Sequence, residues 1–187
     1  MRRIRIVVAY DGTNYCGWQI QPNGITIEEI LNRQISKLTG EDIRIIGASR
    51  TDSGVHALGN VAVFDTESRI PGDRFAYALN QKMPEDIGIV RSDEVQIDWH
   101  PRYQNEISKT YEYHIYNAKV RNPLKNRYST FVSFDLDVEK MRQGAKYILG
   151  EHDFASFCNV RTNAKDTVRT VHEITIKEIP MDKFQAS

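Results

Sequence analysis

Between Ile45 and Asn60 the chain reads IIGASRTDSGVHALGN, an alternating apolar pattern broken by a cluster of reactive side chains. Asp52 lies between Arg50 and His56, in a turn whose Gly54 admits backbone angles closed to other residues. Where strand geometry persists into the turn, residues 50 and 52 project to the same side. A guanidinium beside a carboxylate keeps the carboxylate ionised and fixes its orientation, which suits a nucleophile. The same Arg-x-Asp spacing also fits an Asx-turn carrying a surface ion pair, and spacing alone does not choose between the two.

Other constellations are weaker. Asp11, Asp52, His56 and Asp65 are hard ligands that would suit a metal, but no spacing among them matches a ligand motif. His100, His114, His152 and His172 read as strand-end or loop residues. Tyr111 stands in a run with Tyr103, Tyr113 and Tyr116, and is either a sheet tyrosine with a polar handle or an aromatic that stacks on a base. Around it, residues 101 to 127 carry Arg102, Lys109, Lys119, Arg121, Lys125 and Arg127 against Glu106 and Glu112. Basic residues interleaved with tyrosines are what a phosphate backbone and unstacked bases select, although such a run is also an ordinary solvated face.

The elements that must hold these residues follow from periodicity. Ile4, Ile6 and Val8 alternate with Arg3 and Arg5, which predicts an opening strand ending at Asp11-Gly12. After the loop DGTNYCGWQIQPNGI, Thr26 and Glu29 form a capping box before Ile27, Ile30, Leu31, Ile35 and Leu38, and Gly40 closes that helix. IRIIGA and LGNVAVFDT read as strands flanking the reactive turn, PGDRFAYALNQKMP as a helix between Pro71 and Pro84, and IGIVRS as a short strand. The resulting β-α-β-β-α-β order is ferredoxin-like. From about residue 98 a second part is expected: a long strand through Tyr111, Tyr113 and Ile115, a strand in YSTFVSF, a helix from Val138 to Leu149, and a strand in TVRTVHEITIKEI. The expected domains are therefore 1–97, carrying the aspartate turn, and 98–187, which looks like an incomplete repeat of the same unit.

Bulk properties exclude several classes. The 187 residues are 40% hydrophobic, with 25 basic and 25 acidic side chains, so any positive surface for nucleic acid is local. Cys16 and Cys158 form no CxxC pair, which suits a reducing, cytoplasmic setting. The apolar run at the N-terminus is too short and too alternating for a signal peptide, and no apolar stretch is long enough to span a membrane.

The segments YDGTNYCGWQIQPN, ASRTDSGVHALGNVAVFDT, SKTYEYHIYN, GEHDFASF and TVRTV occur in the order and approximate spacing of the TruA family of tRNA pseudouridine synthases, which the chain resembles to about residue 179. The resemblance implies an α+β pseudouridine synthase fold: two ferredoxin-like halves forming a mixed, largely antiparallel sheet with a central cleft. It implies isomerisation of uridine to pseudouridine at tRNA positions 38 to 40, in the anticodon stem-loop, by a homodimer without cofactor or metal. On this reading the nucleophilic aspartate falls on Asp52, its motif arginine on Arg50 and the active-site tyrosine on Tyr111. Tyr111, His56, Gln19, Lys109 and Arg102 are then assigned to substrate and RNA contact. Attack on the ribose, attack on the ring and a glycal route all remain open. Because the target base is held in a stem-loop it must be flipped out, with Arg50 filling the gap or holding the extruded nucleotide.

Two departures stand out. Ser49 occupies a position where the family often has Gly, and nothing after Thr175 resembles the family's Gly-x-x-Phe-Leu-x-x-Met-Val-Arg stretch, whose arginine pairs with the aspartate. The reading frame is therefore expected to continue past Ser187. A non-catalytic RNA-binding module is the second reading, and an aspartyl-nucleophile or metal hydrolase the third.

Overall fold

The computed structural model describes residues 1–103, 108–158 and 166–179. Glu106, counted in the basic run, and residues 180–187 lie outside them. The chain divides into two compact units, Met1–Glu112 and Tyr113–Ser187.

The first unit is built on β1 (Arg2–Tyr10), whose Ile4, Ile6, Val8 and Tyr10 are buried while the residues between them are not. It lies antiparallel to both β3 (Ala57–Thr66) and β4 (Ile87–Val95), and β2 (Ile46–Gly47) pairs antiparallel outside β3. The sheet order is β2-β3-β1-β4. Helices α1 (Ile27–Thr39) and α2 (Phe75–Asn80) complete the expected β-α-β-β-α-β order.

Helix α1 starts where the Thr26 hydroxyl accepts the Glu29 N–H and stops at Gly40, whose φ of 78° is left-handed. Its Ile27, Ile30, Leu31 and Ile35 join Phe64, Phe75 and Leu79 under the sheet. Each such side chain contributes about 1.5 to 3 kcal/mol on burial, so this face carries most of the unit's hydrophobic stabilisation.

Strand β2 is shorter than IRIIGA suggested, for a physical reason. Ile43 and Ile45 are buried and Arg44 is exposed, as the alternation predicts. The Ile43 and Ile45 amides, however, donate to Ser36 Oγ and Asn32 Oδ1 of α1 instead of a neighbouring strand. Helix α2 also ends early. The Asn80 carboxamide exchanges two hydrogen bonds with the Ile89 backbone of β4, where the β1–β4 register shifts.

In the second unit β5 (Ile115–Asn117) pairs parallel with β6 (Thr130–Val132), α3 covers Val138–Ala145, and β7 (Gly150–Asp153) pairs antiparallel with β8 (Val168–Val171). None of its described residues is buried. The long strand expected through Tyr111 and Tyr113 is confined to 115–117, and the helix expected to reach Leu149 continues past Ala145 only as single turns, with Tyr147 and Ile148 donating to Gly144 and Ala145. Alternation without an apolar partner for one face does not sustain a ladder. Strand β7, in the polar segment GEHD, carried no apolar signal at all.

Candidate active site

Where β2 ends, its chain is passed to a series of side-chain anchors. The Ala48 amide still donates to Val61 O at 2.7 Å. One residue on, the Asn60 carboxamide takes the place of a strand, accepting from Ser49 N at 3.2 Å and donating to Ser49 O at 2.9 Å. The β1–β3 pairing steps from Val8↔Asn60 to Tyr10↔Ala57, so β3 holds one extra residue in a bulge beside the site. Thr51 is fixed twice: its hydroxyl shares a 2.8 Å hydrogen bond with Tyr10 OH, and its carbonyl accepts from Trp18 N at 3.0 Å.

The tight turn Asp52–Val55 follows, closed by Val55 N donating to Asp52 O at 3.2 Å. Gly54 has φ 79° at the third position, where a type II turn requires it. An Asx-turn would have the Asp52 side chain accept the Gly54 amide; that amide instead donates to Tyr15 O. Among the described residues no ion pair joins Arg50 to Asp52. Both are exposed, and both line an open cleft of about 280 Å³ with Gln19, Cys16 and Ser53. The turn thus presents a carboxylate and a guanidinium on one side, neither committed to the fold.

The loop 11–26 buttresses this turn from beneath. Tyr15 OH donates to Asp86 at 2.5 Å, Cys16 N to Ile25 O, and Ser53 Oγ to Tyr15 O. Burial, and then the Asp86 contact, push the Tyr15 hydroxyl well above the usual tyrosine value; burial likewise raises that of Tyr10. Both hydroxyls therefore stay protonated and serve as fixed hydrogen-bonding groups. His56 Nδ1 accepts the Gly12 amide at 3.2 Å and lies 3.1 Å from Asp11 Oδ1, so its ring joins the two motif segments.

Gly17 also packs closely against the backbone of the turn. At φ 82°, its missing Cβ would lie 2.6 Å from Thr51 O. Gly17→Ala is expected to cost about 2 kcal/mol for the left-handed backbone and to shift the turn, which in the reaction the resemblance implies lowers turnover about ten-fold with RNA affinity retained. Thermal melts and single-turnover rates check this; a lower melting point with unchanged turnover would mean that this contact does not set the turn.

Beyond β4 the chain crosses the sheet face opposite the helices. Arg3 grips Asp65 with two bonds and donates to Trp99 O at 2.9 Å; Arg5 grips Asp93 and lies over the Trp99 ring at 5.3 Å. Arg102 Nε then donates to Gly47 O at 2.7 Å and Lys109 Nζ to Ala48 O at 3.4 Å, tying the segment to the strand that leads into the turn. Two residues later Tyr111 is 84% exposed and has no hydrogen-bond or ring partner among the described residues. It is not a core or sheet tyrosine using its hydroxyl as a handle. Arg102 and Lys109 are thus each bonded to a backbone carbonyl.

Sequence reasoning passed over Tyr10 and Asn60. Their signal was present: each is a polar group on the inward stripe of a strand, at 5% and 7% exposure. Of the suggested metal ligands, Asp65 is held by Arg3 and Asp11 lies on His56, and among the described residues no three His, Cys, Asp or Glu side chains are grouped to hold a metal ion. Among the same residues no helix is long and apolar enough to cross a membrane.

A family model described as tRNA pseudouridine synthase matches residues 6–104 and 145–186. The first block contains Gln19, Arg50, Asp52, His56 and Arg102; Lys109 and Tyr111 fall between the blocks. The tRNA pseudouridine synthase A of Acetivibrio thermocellus is 47% identical over 99% of this chain and 76% of its own length. The enzymes of the same name from Thermoanaerobacter sp. and Brevibacillus brevis are 44% and 43% identical, over 95% and 96% of this chain and 72% and 73% of theirs.

Proposed function

The chain belongs to the tRNA pseudouridine synthase family, and from that premise we propose that it isomerises uridine in the anticodon stem-loop of tRNA, with Asp52 as the nucleophile. The observation that carries the assignment is the carboxylate of Asp52, exposed in a cleft, unpaired among the described residues, and held at the head of a turn anchored on both sides. A carboxylate that the fold does not use for its own stability is available for chemistry.

The reaction is an isomerisation. The bond from ribose C1′ to uracil N1 breaks, the base turns over, and C1′ joins C5; the C5 proton leaves and N1 gains one. Asp52 acts on the ribose or the ring in breaking the first bond, and the face of Tyr111 stacks on the extruded uracil while its hydroxyl relays the C5 proton. Arg50, beside Asp52 in the cleft, holds the flipped nucleotide by its phosphate or fills the vacated stack. Gln19, His56, Arg102 and Lys109 extend the RNA contact. The protein acts in the cytoplasm as a homodimer, with the second unit the counterpart half of the fold that the resemblance implies.

Full-length tRNA labelled with tritium at uracil C5, with the modified positions mapped, tests the reading with chelator present. One label released per modified uridine is the expected result. Tight binding without release would identify a non-catalytic RNA-binding module, and product only at uridines outside the anticodon arm would overturn the substrate assignment.

A further inference from the structure

The pattern of inward and outward residues through the turn has a physical origin that the catalytic assignment leaves unused. From Ser49 to Asp52 the exposure alternates: Ser49 and Thr51 are half-buried and hydrogen-bonded to Asn60 and Tyr10, while Arg50 and Asp52 are exposed, and Thr51 shares the cleft lining with both. Strand pairing does not impose this, because the ladder of β2 stops at Gly47. Two buried side chains impose it. The Asn60 carboxamide engages both backbone groups of Ser49, as a neighbouring strand would, and the Tyr10 hydroxyl engages that of Thr51. The two anchors also meet, Asn60 Nδ2 lying 3.4 Å from Tyr10 OH. The extra residue in β3 separates Ala57, opposite Tyr10, from Asn60, opposite Val8, and so leaves Asn60 free to turn toward Ser49.

We propose that Asn60 and Tyr10 are positioning residues of the isomerisation: by pinning Ser49 and Thr51 inward they fix where the Asp52 carboxylate and the Arg50 guanidinium enter the cleft. The proposal rests on the assignment of Asp52 as nucleophile. Both residues are buried, at 5% and 7% exposure, so their effect falls on the rate of bond-breaking and not on RNA affinity. Misplacing a reacting group by about 1 Å costs on the order of a hundred-fold in rate, enough to show against a fold left intact.

The test uses the full protein and three near-isosteric changes, Tyr10→Phe, Thr51→Val and the two together, with Asn60→Ala and Asp52→Asn alongside. Single-turnover rate, tRNA dissociation constant and melting temperature are measured for each. Tyr10→Phe and Thr51→Val should each slow turnover about ten-fold with affinity within about two-fold, and the double variant should be no slower than Tyr10→Phe alone, because that change already removes the hydrogen bond the two residues share. Asn60→Ala should slow it about a hundred-fold. Turnover near wild type in these variants while Asp52→Asn is inactive would overturn the positioning role and leave the nucleophile assignment intact. Losses that multiply in the double variant, or that follow only the fraction unfolded, would also overturn it. Wild-type turnover by Asp52→Asn would remove the nucleophile assignment and this inference with it.

Discussion

Asp52→Asn is expected to abolish pseudouridine formation, by about a thousand-fold or more, while tRNA affinity stays within about three-fold. Asparagine has nearly the shape of aspartate, and the Asp52 carboxylate supports no hydrogen bond or ion pair among the described residues, so the fold loses nothing when it is neutralised. What it loses is the anion to which bond-breaking is assigned in the proposed reaction. Affinity comes mainly from contacts to phosphate and sugar, which a single neutral amide in the cleft leaves in place. The melting temperature should hold or rise slightly. Turnover by Asp52→Asn near that of the wild type would take the nucleophile role away from this residue.

Tyr111 gives the second large effect, and two substitutions separate its two roles. Tyr111→Phe keeps the stacking face and removes only the hydroxyl, whereas Tyr111→Ala removes both. With the side chain 84% exposed and unpartnered among the described residues, neither change should move stability by more than about 0.5 kcal/mol. Phe should bind RNA like the wild type and turn over about a hundred-fold more slowly, the scale of a lost general acid or base. Ala should in addition lose about 1 to 3 kcal/mol of affinity, the worth of one base stacked on an aromatic ring. Normal turnover by Tyr111→Phe would leave the ring with the stacking role alone.

How much of this was legible in the sequence depended on where each residue's partner lies. The first unit was read closely because its strands and helices carry their own punctuation: Thr26 and Gly40 bracket α1, and alternation marks β1. The turn at Asp52 was visible through Gly54 and the break in the apolar pattern. The partners of Ile43 and Ile45 were not, since the same alternation arises whether an amide meets a strand or the side chains of α1. Nor did the positive charge of Arg102 and Lys109 reveal that they reach Gly47 O and Ala48 O, carbonyls at the edge where β2 stops pairing. The alternation at Tyr111 and Tyr113 mimicked a strand, but both rings are exposed and the ladder begins only at Ile115.

The bonds of Arg102 and Lys109 also set an order in time. Arg102 and Lys109 close onto residues 55 and 61 positions earlier in the chain. At about 5 to 20 residues per second, the ribosome takes roughly 3 to 12 s to make that interval. From Thr66, where β3 ends, to Tyr111 takes roughly 2 to 9 s at that rate, during which β1, the loop 11–26, the Asp52 turn and β3 have been made while Tyr111 has not. The aspartate proposed as nucleophile is therefore made before its proposed aromatic partner, and the half-built protein meets the RNA-rich surroundings of the ribosome without the ring proposed to receive a flipped base.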